Sequence, residues 1–221
     1  MAAKDGSANV QRGKFITFEG IEGSGKTTQA ALLADYLRTQ GKEVLLLSEP
    51  APGFPGGTEL HKLLYSKEWL PKSELLLTAA ARIELWEKTI KPALEQGTWV
   101  ICERFSDCTM IYHLAYHEHN ETTGVSQNHI ELMGKYLLGN AKPDLTVLLD
   151  LNLTTRASSP NWEDRTDKFG KLGLKFILCV QEKFREYAKE HPKRIKIVDN
   201  DGWKATVVHE RVLLVVQRKF F

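Results

Sequence analysis

Cysteine is scarce: the chain has three in 221 residues, none in a C-x-x-C pair. That excludes a disulfide-stapled scaffold and leaves no ligand set for a structural zinc. Long apolar runs are missing as well. None reaches the roughly 20 residues that span a bilayer, and no secretory h-region opens the chain. No charge sign dominates either, because 30 Lys+Arg stand against 28 Asp+Glu, a net of +2. So even a balance argues against a polyanion-coating role, and no nucleic-acid or membrane partner is expected. Internal repeats and low-complexity blocks are also absent. A soluble, cytoplasmic-type protein is the expectation, and this length with 42% hydrophobic residues suits one compact α/β domain.

Met1 to Gly13 is small and polar without periodicity and reads as a flexible tail or a targeting or expression remnant, so the domain is expected over 14–221. Lys14 to Phe18 is a short β-rich run. From Lys26 to Gln40, Ala30, Leu33, Ala34 and Leu37 recur at helical spacing, and Gly41 stops the pattern. Val44–Leu47, Trp99–Cys102, Leu145–Leu149 and Ile195–Val198 read as further strands. Val44–Leu47 is fully apolar, as buried parallel strands are. Ser73 is a candidate cap for a long helix reaching Leu94, and a last helix is expected from about Ala205 to Val216. Strands alternating with helices predict a doubly wound sheet of about five parallel strands with helices on both faces and right-handed crossovers. The polar stretch 152–170 suits a lid.

The chemistry begins at Gly20-Ile21-Glu22-Gly23-Ser24-Gly25-Lys26-Thr27, which fits G-x-x-x-x-G-K-[ST] without a mismatch, between a predicted strand and a predicted helix. Glycines let the backbone curl so that its N–H groups meet phosphate oxygens, and the helix adds its positive N-terminal end. Lys26 would meet the terminal phosphates and the Thr27 hydroxyl would ligate Mg²⁺. The spacing of Gly20, Gly23 and Gly25 is wrong for a dinucleotide-binding turn. A guanine-specific switch would carry N-K-x-D, and Asn140-Ala141-Lys142-Pro143-Asp144 misses that by one residue. A kinase needs extra cations and an acceptor site. Arg104 follows the third strand at the carboxyl end of the sheet, where open α/β folds bind ligands. Arg82 lies in the long helix, and Arg156 and Arg165 bracket the lid.

These residues resemble the thymidylate (dTMP) kinase family of nucleoside-monophosphate kinases. Phe18 to Gln29 resembles its P-loop. Glu49-Pro50 with Gly56-Gly57-Thr58 is similar to its E-P-G-G-T segment, split by an insertion. Ile90 to Leu94, Gly97 to Ile101, Glu103-Arg104-Phe105, and Lys142 to Thr146 with Leu149-Asp150 match its later motifs. The resemblance implies transfer of phosphate from ATP to dTMP, with Gly20, Glu22, Gly23, Ser24, Gly25, Lys26, Thr27 and Thr28 around ATP. Thr27 and Glu103 would serve the metal, and Glu22 the acceptor's 3′-hydroxyl or the metal. Arg104 would clamp the acceptor phosphate, and Arg82 would donate to the pyrimidine O4. Glu49, Thr78, Cys108 and Thr109 would complete the pocket. Tyr112 would pack under C2′. Arg156 and Arg165 would supply lid cations. The family also implies a homodimer.

Departures gather at the acceptor pocket. The base-stacking Phe of the family is Thr78, the Arg before Glu49 is Ser48, and Cys108 and His113 replace a Ser and a Gln. An aromatic platform is worth roughly 1–3 kcal/mol per base. The alternatives are therefore a kinase for another or modified deoxynucleoside monophosphate, or a noncatalytic P-loop regulator. His113, His117 and His119 with Glu118 bring a metal site to mind but lack a further ligand, and a pocket-edge loop is expected there. Cys102 and Cys179 read as core thiols. The stripe Ile83, Trp86, Ile90 is either core or a subunit contact.

Overall fold

The computed structural model describes residues 11–49, 57–64, 66–120, 126–139, 141–151, 153 and 172–221. Five parallel strands form one sheet in the order β2-β3-β1-β4-β5: β1 Phe15–Glu19, β2 Val44–Ser48, β3 Trp99–Glu103, β4 Leu145–Asp150 and β5 Ile195–Asp199. Each of the five expected strands is found, and each runs one residue further toward its carboxyl end. All five residues of β1 are buried, as befits a central strand covered on both faces. Asp144 ties the start of β1 down, because its Oδ2 accepts the Phe15 N–H at 2.7 Å and a guanidinium N–H of Arg12 at 2.9 Å. Gly13 already donates to Leu94 O at 2.8 Å, so the chain is docked before β1 begins.

One face of the sheet is covered by α1 (Lys26–Thr39) and α8 (Ala205–Phe220). Val208, Val212 and Val216 recur every four residues on α8 and are fully buried. That helix runs a turn beyond the expected end because Phe220 and Phe221 pack on Trp99, at centroid distances of 5.3 and 6.0 Å. The other face carries α3 (Pro71–Leu85), α4 (Lys91–Glu95), α5 (Ser106–Asn120), α6 (Gln127–Leu138) and α7 (Gly173–Glu190), with α2 (Gly57–Leu64) beside α3.

Three expectations are corrected here. The long helix starts at Pro71 with Leu70 as N-cap, not at Ser73. Proline at the first helical position has its φ preset and no N–H to lose, which settles the start. The helix is also not continuous, because a π turn over Trp86–Ile90 joins α3 to α4. Arg82 and Ile90 are eight residues apart, which on a regular helix places them about 80° out of phase. The wider π turn takes up one residue, so Arg82, Ile90 and Leu94 all face the sheet and all are buried. Trp86 lies against Phe15 and Phe105, at centroid distances of 5.9 and 6.5 Å, so this part of the stripe is core. The third correction concerns His113 and His117, which sit on α5 rather than in a loop. Of the expected lid, only Leu153 is among the described residues, and it is buried.

Candidate active site

The carboxyl ends of β1, β3, β4 and β5 open onto one cleft. β1 leads into the glycine loop, where Gly20, Gly23 and Gly25 take φ of 135°, 75° and 88°. At Gly20 a Cβ would lie 2.5 Å from Leu149 O, and at Gly25 one would lie 2.9 Å from the Asn200 amide nitrogen. Only glycine makes this bend against its neighbours. Asn200, at the end of β5, braces the loop by donating to Ser24 O at 2.6 Å. α1 starts at Lys26 with no acidic residue in its first turn, so its positive end faces the loop uncompensated. The Lys26 ammonium is buried and donates to Ile21 O at 2.8 Å. Burial, and then the nearby Arg104 charge, push it down to about 8. Thr27 Oγ1 donates to Glu103 Oε2 at 2.8 Å. Glu22, Thr27 and Thr28 lie exposed at the rim.

Across the cleft, the pocket is built from charged contacts between distant elements. Arg82 of α3 points its Nε at both Glu49 oxygens, at 2.8 and 2.9 Å, and both residues are buried. Its Nη2 donates to Thr109 Oγ1 at 2.6 Å and to Phe105 O at 3.3 Å. Burial raises the Glu49 carboxyl above its ordinary value in spite of Arg82. The pair is thus held in place at a desolvation cost, which is what a positioned donor requires. Thr78 lies one turn before Arg82 on the same helix. Arg104 donates to Cys108 Sγ at 2.9 Å and lies over the Tyr112 ring, 5.7 Å from its centroid. Burial keeps the Cys108 thiol protonated, above its ordinary value, so it is no nucleophile.

Between the two sides lie carboxylates that sequence reasoning passed over. Glu19 ends β1 and is 1% exposed, with Oε1 accepting the Phe105 N–H at 2.8 Å. Burial, then Asp107, push it up to about 8. Asp107 is held by Arg194 of the β5 approach (Nη2 to Oδ1, 3.0 Å) and by Thr146, whose hydroxyl also meets Thr17 at 2.9 Å. Asp150 accepts from Gln181 at 2.8 Å and Arg185 at 2.9 Å, and its backbone oxygen takes the Asn200 N–H. One available signal was Glu19 itself, a charge inside an otherwise apolar run.

The structure thus gathers Lys26, Thr27, Glu103 and Arg104 at the loop, and Glu49, Arg82, Thr109, Cys108 and Tyr112 beyond it. Arg156 and Arg165 lie outside the described residues, as do Pro50 and Gly56. Among the described residues no three metal-binding side chains gather around His113, His117 and His119. Cys179 is half-buried rather than core.

The sequence profile described as Thymidylate kinase matches residues 18–212. A thymidylate kinase of Afipia carboxidovorans is 38% identical over 225 residues, covering 99% of this chain and 95% of that protein. One from Rickettsia peacockii is 35% identical, covering 92% and 97%. Among solved structures, the thymidylate kinase of Ehrlichia chaffeensis superposes with a TM-score of 0.70 at 31% identity, covering 93% of this chain and 99% of that one. The thymidylate kinase of Candida albicans, described as having broad substrate specificity, superposes at 0.72 with 27% identity, covering 94% and 92%.

Proposed function

This chain belongs to the thymidylate kinase family of ATP-dependent phosphotransferases, and from that premise we infer that the cleft transfers the γ-phosphate of ATP to dTMP, giving ADP and dTDP. The single observation that carries the reading is the meeting of two cations. Buried Lys26 follows the glycine loop after β1, donating to Ile21 O at 2.8 Å, and Arg104 follows the neighbouring strand β3, donating to Cys108 Sγ at 2.9 Å. Phosphate anions between them would favour the charged form of both.

The loop N–H groups and Lys26 grip the triphosphate, with Thr28 at the rim. Arg104 clamps the acceptor phosphate. An oxygen of that phosphate attacks the γ-phosphorus in line while the bond to the bridging β–γ oxygen breaks, and ADP leaves with the electron pair. The attacking group is already an anion, so catalysis is positioning plus neutralisation of charge by Lys26, Arg104 and the lid's Arg156 and Arg165. Arg82, held by Glu49, turns its remaining terminal nitrogen to the base, beside Thr78, Cys108 and Thr109. Tyr112 packs under the sugar and Glu22 reaches its 3′-hydroxyl. The hydroxyl of Thr27 and the carboxylate of Glu103 form a hard-oxygen pair that fits Mg²⁺. Bound there, that ion would offset phosphate charge.

The kinase domain is read as 14–221, with a lid near 152–170. A homodimer is supported by exposed Leu76 on α3 and Leu132 and Tyr136 on α6. Three free thiols support a reducing, cytoplasmic setting. No helix among the described residues is long and apolar enough to cross a membrane.

Coupled ADP release with dTMP, dUMP, dCMP and dGMP tests the reading. The fastest turnover is expected with dTMP. Lys26→Ala should lower it on the order of 10²–10³-fold. A chain that phosphorylates no pyrimidine nucleotide sinks the assignment.

A further inference from the structure

Glu19 is a carboxyl group where a central strand calls for an apolar side chain. It pairs in register with Leu148 of β4, and Oε2 has no partner among the described residues. Burying a half-satisfied carboxyl costs stability, and the sheet gains nothing from it. What it holds is the backbone immediately after Arg104. Arg104 is the one non-glycine residue among the described residues with positive φ, at 66°. A left-handed turn there is strained and persists only if its surroundings enforce it. Both flanking N–H groups are tied to β1. That of Arg104 donates to Phe18 O at 2.9 Å, and that of Phe105 donates to Glu19 Oε1 at 2.8 Å. The turn breaks the strand's alternation and carries the guanidinium to Cys108 and Tyr112.

We propose that Glu19 is a positioning residue for phosphoryl transfer: by accepting the Phe105 N–H it holds Arg104 in the left-handed turn that aims its guanidinium across the cleft. This rests on reading Arg104 as the acceptor's cation. The role requires an acceptor oxygen at the reach of a glutamate, and it does not require charge. Glutamine supplies that oxygen. Aspartate keeps the carboxyl group and falls one methylene short.

Both variants are compared by steady-state kinetics with each substrate varied, alongside thermal melting. Glu19→Gln should stay within about twofold of the parent in kcat and in both KM values. Glu19→Asp should raise the acceptor KM and lower kcat, together on the order of 10²-fold in kcat/KM for the acceptor, with the ATP KM within about twofold. Because Glu19 acts through Arg104, Glu19→Asp added to Arg104→Lys should cost little beyond Arg104→Lys alone. Equal damage in both Glu19 variants, an unaffected Glu19→Asp, or ATP and acceptor constants rising together would overturn the proposal. If Glu19→Asp does not fold, Glu19→Gln decides: impairment overturns the proposal, near-parent kinetics uphold it. An Arg104→Lys variant with an unchanged acceptor KM instead sinks the assignment of Arg104 in the proposed function.

Discussion

The glycine-loop side and the Arg82 side of this cleft are built by opposite means. The first is backbone: one contiguous loop whose glycines take positive φ and press against Leu149 and Asn200. The second is side chain: Glu49, Arg82, Phe105 and Thr109 come from separate elements and are locked by buried charged contacts. A backbone-built site tolerates little change in conformation. A side-chain-built site can change its residues one at a time; of the departures, Thr78 lies one turn before Arg82 and Cys108 accepts from Arg104.

The contrast can be broken most forcefully at Glu49. Replacing it with alanine leaves the Arg82 guanidinium buried without its carboxylate, and urea unfolding should show a loss of about 3–5 kcal/mol. Thr27→Ala, on the exposed loop side, should cost about 1 kcal/mol or less. Equal losses would erase the distinction. Next in size is Gly25→Ala. At φ 88° with Asn200 in contact it carries a penalty of about 1–2 kcal/mol, read as a roughly tenfold rise in ATP KM with the acceptor KM unmoved.

The smallest effect is that of pH. Lys26 titrates at about 8, lowered by burial, so its charge is present below that pH and fades above it. ATP KM should therefore rise several-fold between pH 7 and 9, and part of the effect is offset because bound phosphate restores the charge. Between pH 8 and the ordinary lysine value the unfolded chain holds a proton that the folded one lacks, so this group's contribution to stability increases with pH over that window. Opposite trends in ATP affinity and stability sharpen the comparison, and parallel trends would count against it.

The loop and the strands were legible because each is written in adjacent residues. The phosphate motif occupies 20–27, and β3 opens with four consecutive buried apolar residues, Trp99 to Cys102. α5 was legible but passed over: Cys108, Ile111, Tyr112 and Ala115 are spaced i, i+3, i+4 and i+7 on one buried face, while the histidines between them drew the reading toward a loop. Asp107 meets Arg194 across 87 positions, a pairing that no local pattern contains. Arg104 was readable as a cation after β3, but its left-handed turn was not, because that conformation is imposed by the neighbouring strand β1, distant in sequence.

The π turn between α3 and α4 has a consequence for how this wall of the cleft could have arisen. It acts as a spacer that keeps two obligations in step, the guanidinium of Arg82 on one side and the packing of Ile90 and Leu94 on the other. A chain shortened by one residue at the solvent-facing Lys88 would close the π turn into regular helix with Arg82 and the isoleucine seven positions apart, about 20° out of phase, so this wall can shed that single residue and keep both faces aligned.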